Sequence, residues 1–189
     1  MLLVTIEFEG EDEIECLRDH LEAQFHTKVN VLRLEFDCRS VLDLHRNQYN
    51  SSAIVKRLEQ DIPTAASKVL AVTGLDLYIP VVTFVFGQAR LNGQCAVVSS
   101  YRLDNRIYGL PENPTLLRER LLKEATHELG HTYGLHHCHN PECVMQLSSC
   151  IKEIDSKSRR FCDRCRDKSA GFRSLPENLG LMGQVRCGS

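Results

Sequence analysis

The 189-residue chain has no surplus of positive charge: 23 Lys and Arg stand against 25 Asp and Glu, a net charge of −2. That balance excludes the basic stripe of a nucleic-acid-binding surface. No apolar run approaches the ~20 residues needed to span a bilayer. The apolar start, residues 1–4, is too short for the core of an export signal, and Glu7, Glu9, Glu11, Asp12 and Glu13 follow it at once. Nor is there an even cysteine set for a disulfide framework, since the count is nine and no export signal precedes it. The chain therefore reads as soluble and cytoplasmic, with reduced cysteines. It is long enough for one well-buried core, in two lobes across a cleft.

What the chain does have is HELGHTYGLHHCHNPECVM at residues 127–145. This is H-E-x-x-H followed by x-x-G-x-x-H, with His127, His131 and His137 as the histidines, Glu128 beside the first and Gly134 before the third. Residues four apart share a helix face, so His127 and His131 can aim ring nitrogens at one metal ion. Glu128 lies off that axis, where its carboxylate can reach a water on the metal without becoming a ligand. Gly134 can adopt a left-handed backbone at no steric cost, ending the helix and turning the chain back. The reversal brings His137 round as third ligand. Three protein ligands and an open fourth position are the arrangement of a catalytic zinc. The pattern fixes five positions over eleven residues, which leaves little room for a surface helix with coincidental histidines. His136 is expected behind the ligands or in solvent, and His139 in a loop.

Cys138, Cys143, Met145, Cys162 and Cys165 follow as C-x4-C-x-M and, later, C-x2-C. Four thiolates make a closed tetrahedral site, so the predicted ion there is structural zinc. Its binding energy counts as folding energy for a stretch with little apolar sequence of its own. Because Cys138 is bonded to His137, this zinc would also steady the third ligand of the other. A redox reading of Cys162 and Cys165 lacks the strand–helix context of a thioredoxin-like motif. Cys16, Cys38, Cys95, Cys150 and Cys187 have no metal spacing and read as small apolar fillers.

Together, His127, Glu128, His131, Gly134, His137, Cys138, Cys143, Met145, Cys162 and Cys165 closely resemble the pattern of the archaemetzincins, a branch of the metzincin zinc peptidases. The motif covers roughly the C-terminal third of the chain. The resemblance implies an α+β, zincin-like fold: a twisted mixed sheet with an antiparallel edge strand, an active-site helix below it, and a small C-terminal lobe. It implies two zinc ions, one catalytic on the three histidines and one structural on the four cysteines. It places Met145 in a Met-turn under the catalytic metal, as an apolar floor rather than a ligand. It also makes residues 82 to about 90 the edge strand above the cleft, whose unpaired backbone groups can hold an extended peptide. A single catalytic domain, residues 1–189, is expected, with lobes at 1–134 and 135–189.

The rest of the chain fits such a layout. Val4, Ile6 and Phe8 alternate with polar residues, predicting a strand with one buried face, and Ile14, Leu17, Leu21 and Phe25 recur at helical spacing. A second strand is predicted at residues 29–36, parallel to the first across the helical crossover. Asn50 or Ser51 caps a helix carrying Ile54, Val55, Leu58 and Ile62, which Pro63 stops; a third strand follows at residues 69–73. Asn92-Gly93 marks a hairpin between residues 82–86 and 95–101. Asn113-Pro114 opens the long helix, with Leu117, Leu121, Ala125 and Leu129 on its buried face. Arg46, Gln48 and Tyr49 read as loop residues tying a helix entry to the sheet, and Asp76 as a turn former rather than a site carboxylate. Residues 166–172 are expected to complete a helix that starts at the cysteine pair, and a loosely held tail is expected from 175. No pro-segment with a blocking cysteine is expected, since Cys16 and Cys38 fall within or beside predicted elements.

These readings converge on zinc-dependent hydrolysis of peptide or protein substrates, with Glu128 as general base and neither nucleic acid nor membrane as partner. The alternative is a peptide-binding module with a zinc-loaded but weakly catalytic site, against which Glu128 argues, because a pure binder needs no general base. A zinc-stabilised interaction module is disfavoured by the acidic balance.

Overall fold

The computed structural model describes residues 1–62 and 68–168. The apolar start becomes β1 (Leu2–Ile6), and the acids behind it open α1 (Glu11–Phe25), where Glu11, Asp12 and Glu13 suit the helix's positive end. β2 (Asn30–Arg33) returns parallel to β1. It is shorter than expected and exposed throughout, being a sheet edge; just beyond it Asp37 accepts from the Arg39 amide and starts a 3-10 turn at Cys38–Val41. Next come β3 (Leu42–Asp43), β4 (Gln48–Asn50) and α2 (Ser51–Asp61), the last capped by Asn50 through the Ala53 amide. Pro63 lies outside the described residues. β5 (Val69–Thr73), β6 (Leu77–Tyr78), β7 (Gly87–Ala89) and β8 (Cys95–Ser99) complete the strands.

The main sheet runs β2-β1-β5-β8-β7, parallel except for the antiparallel edge strand β7. β3, β4 and β6 form a second, smaller sheet. Neighbouring residues of a strand face opposite ways, and here both faces are covered. Leu3, Leu70, Val72, Ala96 and Val98 pack with α1 and with α3 (Pro114–Thr132), whereas Val4, Ile6, Val69, Ala71 and Val97 pack with α2. β1 is thus not the one-faced strand its alternation predicts: Leu3 and Val4 are both fully buried.

The hairpin at Asn92-Gly93 forms, but residues 82–86 are not strand. Phe86 still accepts from the Ser99 amide of β8, but the backbone of residues 82–85 is held from the side of the smaller sheet. The Val85 amide donates to Leu77 O, and Arg46 Nη2 donates to the carbonyls of Val82 (2.9 Å) and Thr83 (2.8 Å).

Asn113 caps α3 through the Leu116 amide, with Pro114 in the first turn, as its sequence predicts. After α3 come α4 (Ile151–Ser156) and α5 (Asp163–Lys168). α5 starts within the cysteine pair, as expected; residues 169–172, the expected tail and Cys187 lie outside the described residues. Three consecutive contacts dock α4 on α3. Arg120 grips the Asp155 carboxylate at 2.7 and 2.8 Å, Lys123 Nζ caps the carbonyls of Ile154 and Asp155, and Glu124 pairs with Lys157 at 2.8 Å. Cys38, Cys95 and Cys150 are free thiols, and Cys16 is buried on α1. Among the described residues no helix is long and apolar enough to cross a membrane.

Candidate metal centre and cleft

α3 is fixed before any ligand arrives, because Leu121, Leu122, Ala125 and Leu129 are each at most 1% exposed beneath the sheet. It ends in a Schellman motif: Gly134, at φ 85°, donates to His131 O (2.9 Å), and the Leu135 amide donates to Gly130 O (3.0 Å). The chain then doubles back and brings His137 to the two helical histidines. Ring centroids are 4.7 Å apart for His127 and His131, 5.3 Å for His127 and His137, and 4.9 Å for His131 and His137. One ring nitrogen from each lies within 4.8 Å of the others. His127 Nε2 and His131 Nε2 are 3.0 Å apart, close to the edge of about 3.3 Å for a tetrahedron with zinc–nitrogen bonds of about 2.05 Å.

The other ring nitrogens set the tautomers. His127 Nδ1 is 2.8 Å from Val144 O, and His131 Nδ1 is 2.7 Å from Leu135 O. A carbonyl only accepts, so each Nδ1 carries the hydrogen and each Nε2 keeps its lone pair for a metal. Burial holds both rings neutral, pushing His127 well below its ordinary value and His131 down to about 4. Neutral, oriented imidazoles are what a metal requires. His137 stands on the exposed rim, and His136 and His139 face solvent as expected.

Glu128 is buried at 6% exposure and lines a cleft of about 580 Å³. The three histidines and Glu124 share its floor, Phe84, Phe86, Gly87 and Ala89 form one wall, and Leu147 lies opposite. Burial pushes the Glu128 carboxyl well above its ordinary value; Glu124, one turn earlier, adds to this and Lys157 opposes it. Met145 is fully buried under α3. A Cβ on Gly130 would lie 2.4 Å from Met145 Sδ, so the thioether sits directly on the helix backbone at that glycine. A glycine inside a helix costs about 1 kcal/mol against alanine, and that unexplained glycine in H-E-L-G-H was the available signal for close packing there.

The second cluster is equally compact. Cys138, Cys143, Cys162 and Cys165 have all four sulfurs within 4.8 Å of one another. Cys138 Sγ and Cys162 Sγ are 3.8 Å apart, the edge of about 3.8 Å that a tetrahedron with zinc–sulfur bonds of about 2.3 Å requires. Backbone amides of Asn140 and Cys162 point at the sulfurs of Cys138 and Cys143; at Cys143 this bond opposes burial, which pushes the thiol up. The donor set and spacing suit zinc.

Asp76 is neither turn former nor metal-site carboxylate. It accepts from Arg102 Nε (2.7 Å) and Nη2 (2.6 Å) and from Gln48 Nε2 (3.1 Å), while Arg46 Nε donates to Gln48 Oε1. Arg102 stacks on Phe84 at 4.5 Å and Arg46 on Tyr78 at 4.4 Å. This network fastens the wall of the cleft. Sequence reasoning singled out Arg46, Gln48 and Asp76 but did not join them to one another or to Arg102, because they are scattered over residues 46–102, and it placed Gln48 and Tyr49 in a loop where they form β4.

Comparison with known proteins gives a consistent set of relatives. The family model described as peptidase family M54 matches residues 17–170. The archaemetzincin of Methanocaldococcus jannaschii is 46% identical over 123 residues, 65% of this chain and 66% of that protein, just under two thirds of its length. The crystal structure of Methanopyrus kandleri archaemetzincin superposes with a TM-score of 0.75 at 37% identity, covering 88% of this chain and 92% of that one. That of Archaeoglobus fulgidus archaemetzincin complexed with malonate gives 0.74 at 34% identity, covering 88% and 98%.

Proposed function

The chain belongs to the archaemetzincins, the zinc metallopeptidases of family M54, and on that premise we propose that it hydrolyses peptide bonds at a centre built by His127, His131 and His137, with Glu128 as general base. The observation that carries this reading is the convergence of three imidazoles beside a buried carboxylate on the floor of an open cleft. A zinc ion held by His127, His131 and His137 would supply Lewis-acid polarisation of the scissile carbonyl and would acidify the attacking water. Glu128 accepts the proton of the attacking water and later delivers one to the leaving amine. Burial raises the proton affinity of the Glu128 carboxylate, so its ionised form is the stronger base.

The peptide lies along β7. Phe86 and Arg90 bond across to β8, and bonded residues alternate in an antiparallel pair, so Gly87 and Ala89 turn their backbone groups to the open edge. Those groups can pair with an extended substrate. Cys138, Cys143, Cys162 and Cys165 hold a second zinc of structural role, in one catalytic domain whose later lobe starts after Gly134. Because thiolate ligands must stay reduced, we place the protein in the cytoplasm.

The test is Glu128→Ala, assayed for metal content and for cleavage of a mixed peptide library. The expected outcome is two zinc ions per chain, as in the parent protein, with turnover reduced by ~10²–10⁴-fold. An unchanged rate would remove the carboxylate from the mechanism.

A further inference from the structure

Resting on the role proposed for Glu128, we infer that Gly87 is its positioning residue: the missing side chain on the edge strand is the space in which the Glu128 carboxylate stands. Glycine weakens a strand, so its presence in β7 needs a cause. Backbone conformation is not that cause, since Gly87 is absent from the glycines with positive φ. Space is. A Cβ at this position would lie 2.6 Å from Glu128 Cγ and 2.8 Å from Glu128 Oε1, distances that require something to move. α3 cannot retreat, because Leu121, Ala125 and Leu129 lock it beneath the sheet. A side chain at residue 87 therefore drives the carboxylate away from the cleft floor, while His127 and His131, held through their Nδ1 hydrogen bonds, stay in place. One competing constraint exists: the same Cβ would lie 2.7 Å from the Val97 carbonyl on β8.

A double-mutant cycle separates the two contacts. Gly87→Ala is made in the parent protein and in Glu128→Ala, which removes the Glu128 atoms in question and leaves Val97 untouched. In the parent background, Gly87→Ala keeps its zinc content, lowers kcat by ~100-fold with KM nearly unchanged, and lowers the melting midpoint by several degrees. In Glu128→Ala most of that loss of melting midpoint disappears; if the single variant does not fold, the double variant still does. An equal thermal penalty in both backgrounds, failure of both to fold, or an undiminished kcat overturns the inference. A Glu128→Ala protein that still cleaves peptides sinks the general-base reading instead, and the thermal coupling reports on Gly87 separately from it.

Discussion

Replacing Lys157 by methionine strands a carboxylate inside the protein, and the cost can be worked out. The Lys157 side chain is fully buried and that of Glu124 is 4% exposed, with Nζ 2.8 Å from Glu124 Oε1 and 3.1 Å from Gln146 O. Burial pushes the Glu124 carboxyl up, and Lys157, with Lys123 behind it, opposes that rise without cancelling it. Without the ammonium, Glu124 has to take up a proton to remain inside. From an ordinary value of about 4.3, holding a carboxylic acid protonated at pH 7 costs about 3.7 kcal/mol, inside the range of about 3–5 kcal/mol for breaking a buried pair. The sign follows from linkage. In the variant the folded state binds the extra proton, so its deficit grows as pH rises above about 4.3 and shrinks by about 1.4 kcal/mol for each unit of acidification. Urea unfolding of zinc-saturated protein at pH 5 and pH 7 reads this directly, with Glu124→Gln/Lys157→Met as reference at each pH so that changes in metal affinity cancel. The double variant should recover most of the loss at pH 7. A deficit below about 1 kcal/mol at pH 7, or one equal at both pH values, would refute the reasoning.

Two further outcomes are expected. Arg46→Ala frees the carbonyls of Val82 and Thr83 and loosens the cleft wall, so KM for peptides rises severalfold while zinc content and kcat change little; steady-state kinetics with metal analysis check it. His20 accepts or donates a hydrogen bond with Thr126 Oγ1 at 2.9 Å, and burial lowers its value to about 4, with Arg159 and Arg160 adding to the effect. The folded state thus excludes a proton that the unfolded chain takes up, and stability falls as pH drops from about 6.5 towards 4, by at most about 3 kcal/mol for this partly exposed ring. His20→Gln should flatten that part of the stability–pH curve, and an unchanged slope would show that His20 does not contribute.

The convergence of the three histidines was legible because a helix converts spacing into geometry. His127 and His131 meet because they are four apart, and Gly134 reverses the chain because only a residue tolerant of positive φ closes the Schellman turn without strain. What stayed hidden depends on contacts between distant segments. Residues 82–86 have the composition of a strand, yet an arginine 36 residues earlier takes the Val82 carbonyl and keeps the segment out of the ladder. Gly87 is one glycine in an apolar stretch until β7 is known to pass over Glu128. Glu124 and Lys157 likewise read as surface charges by type, and only the docking of α4 on α3 makes them a buried pair.

The helix alone does not determine the chemistry of the histidines. α3 brings two Nε2 atoms together, but which nitrogen of each ring carries hydrogen is decided by Leu135 O and Val144 O, both in the segment that follows the helix. That same segment carries His137, Cys138, Cys143 and Met145, and the bond from the Cys138 amide to Met145 O (2.8 Å) closes it into one loop. Val144 is tied in turn to the second half of the sulfur cluster, its amide donating to Arg160 O at 3.0 Å two residues before Cys162. The carbonyls that orient the imidazoles and the sulfurs that gather beside them are therefore set by one stretch of backbone. Ordering the four-cysteine cluster orders the hydrogen-bond acceptors of the histidine cluster, which is why a segment with few apolar residues of its own can hold the three imidazoles in register.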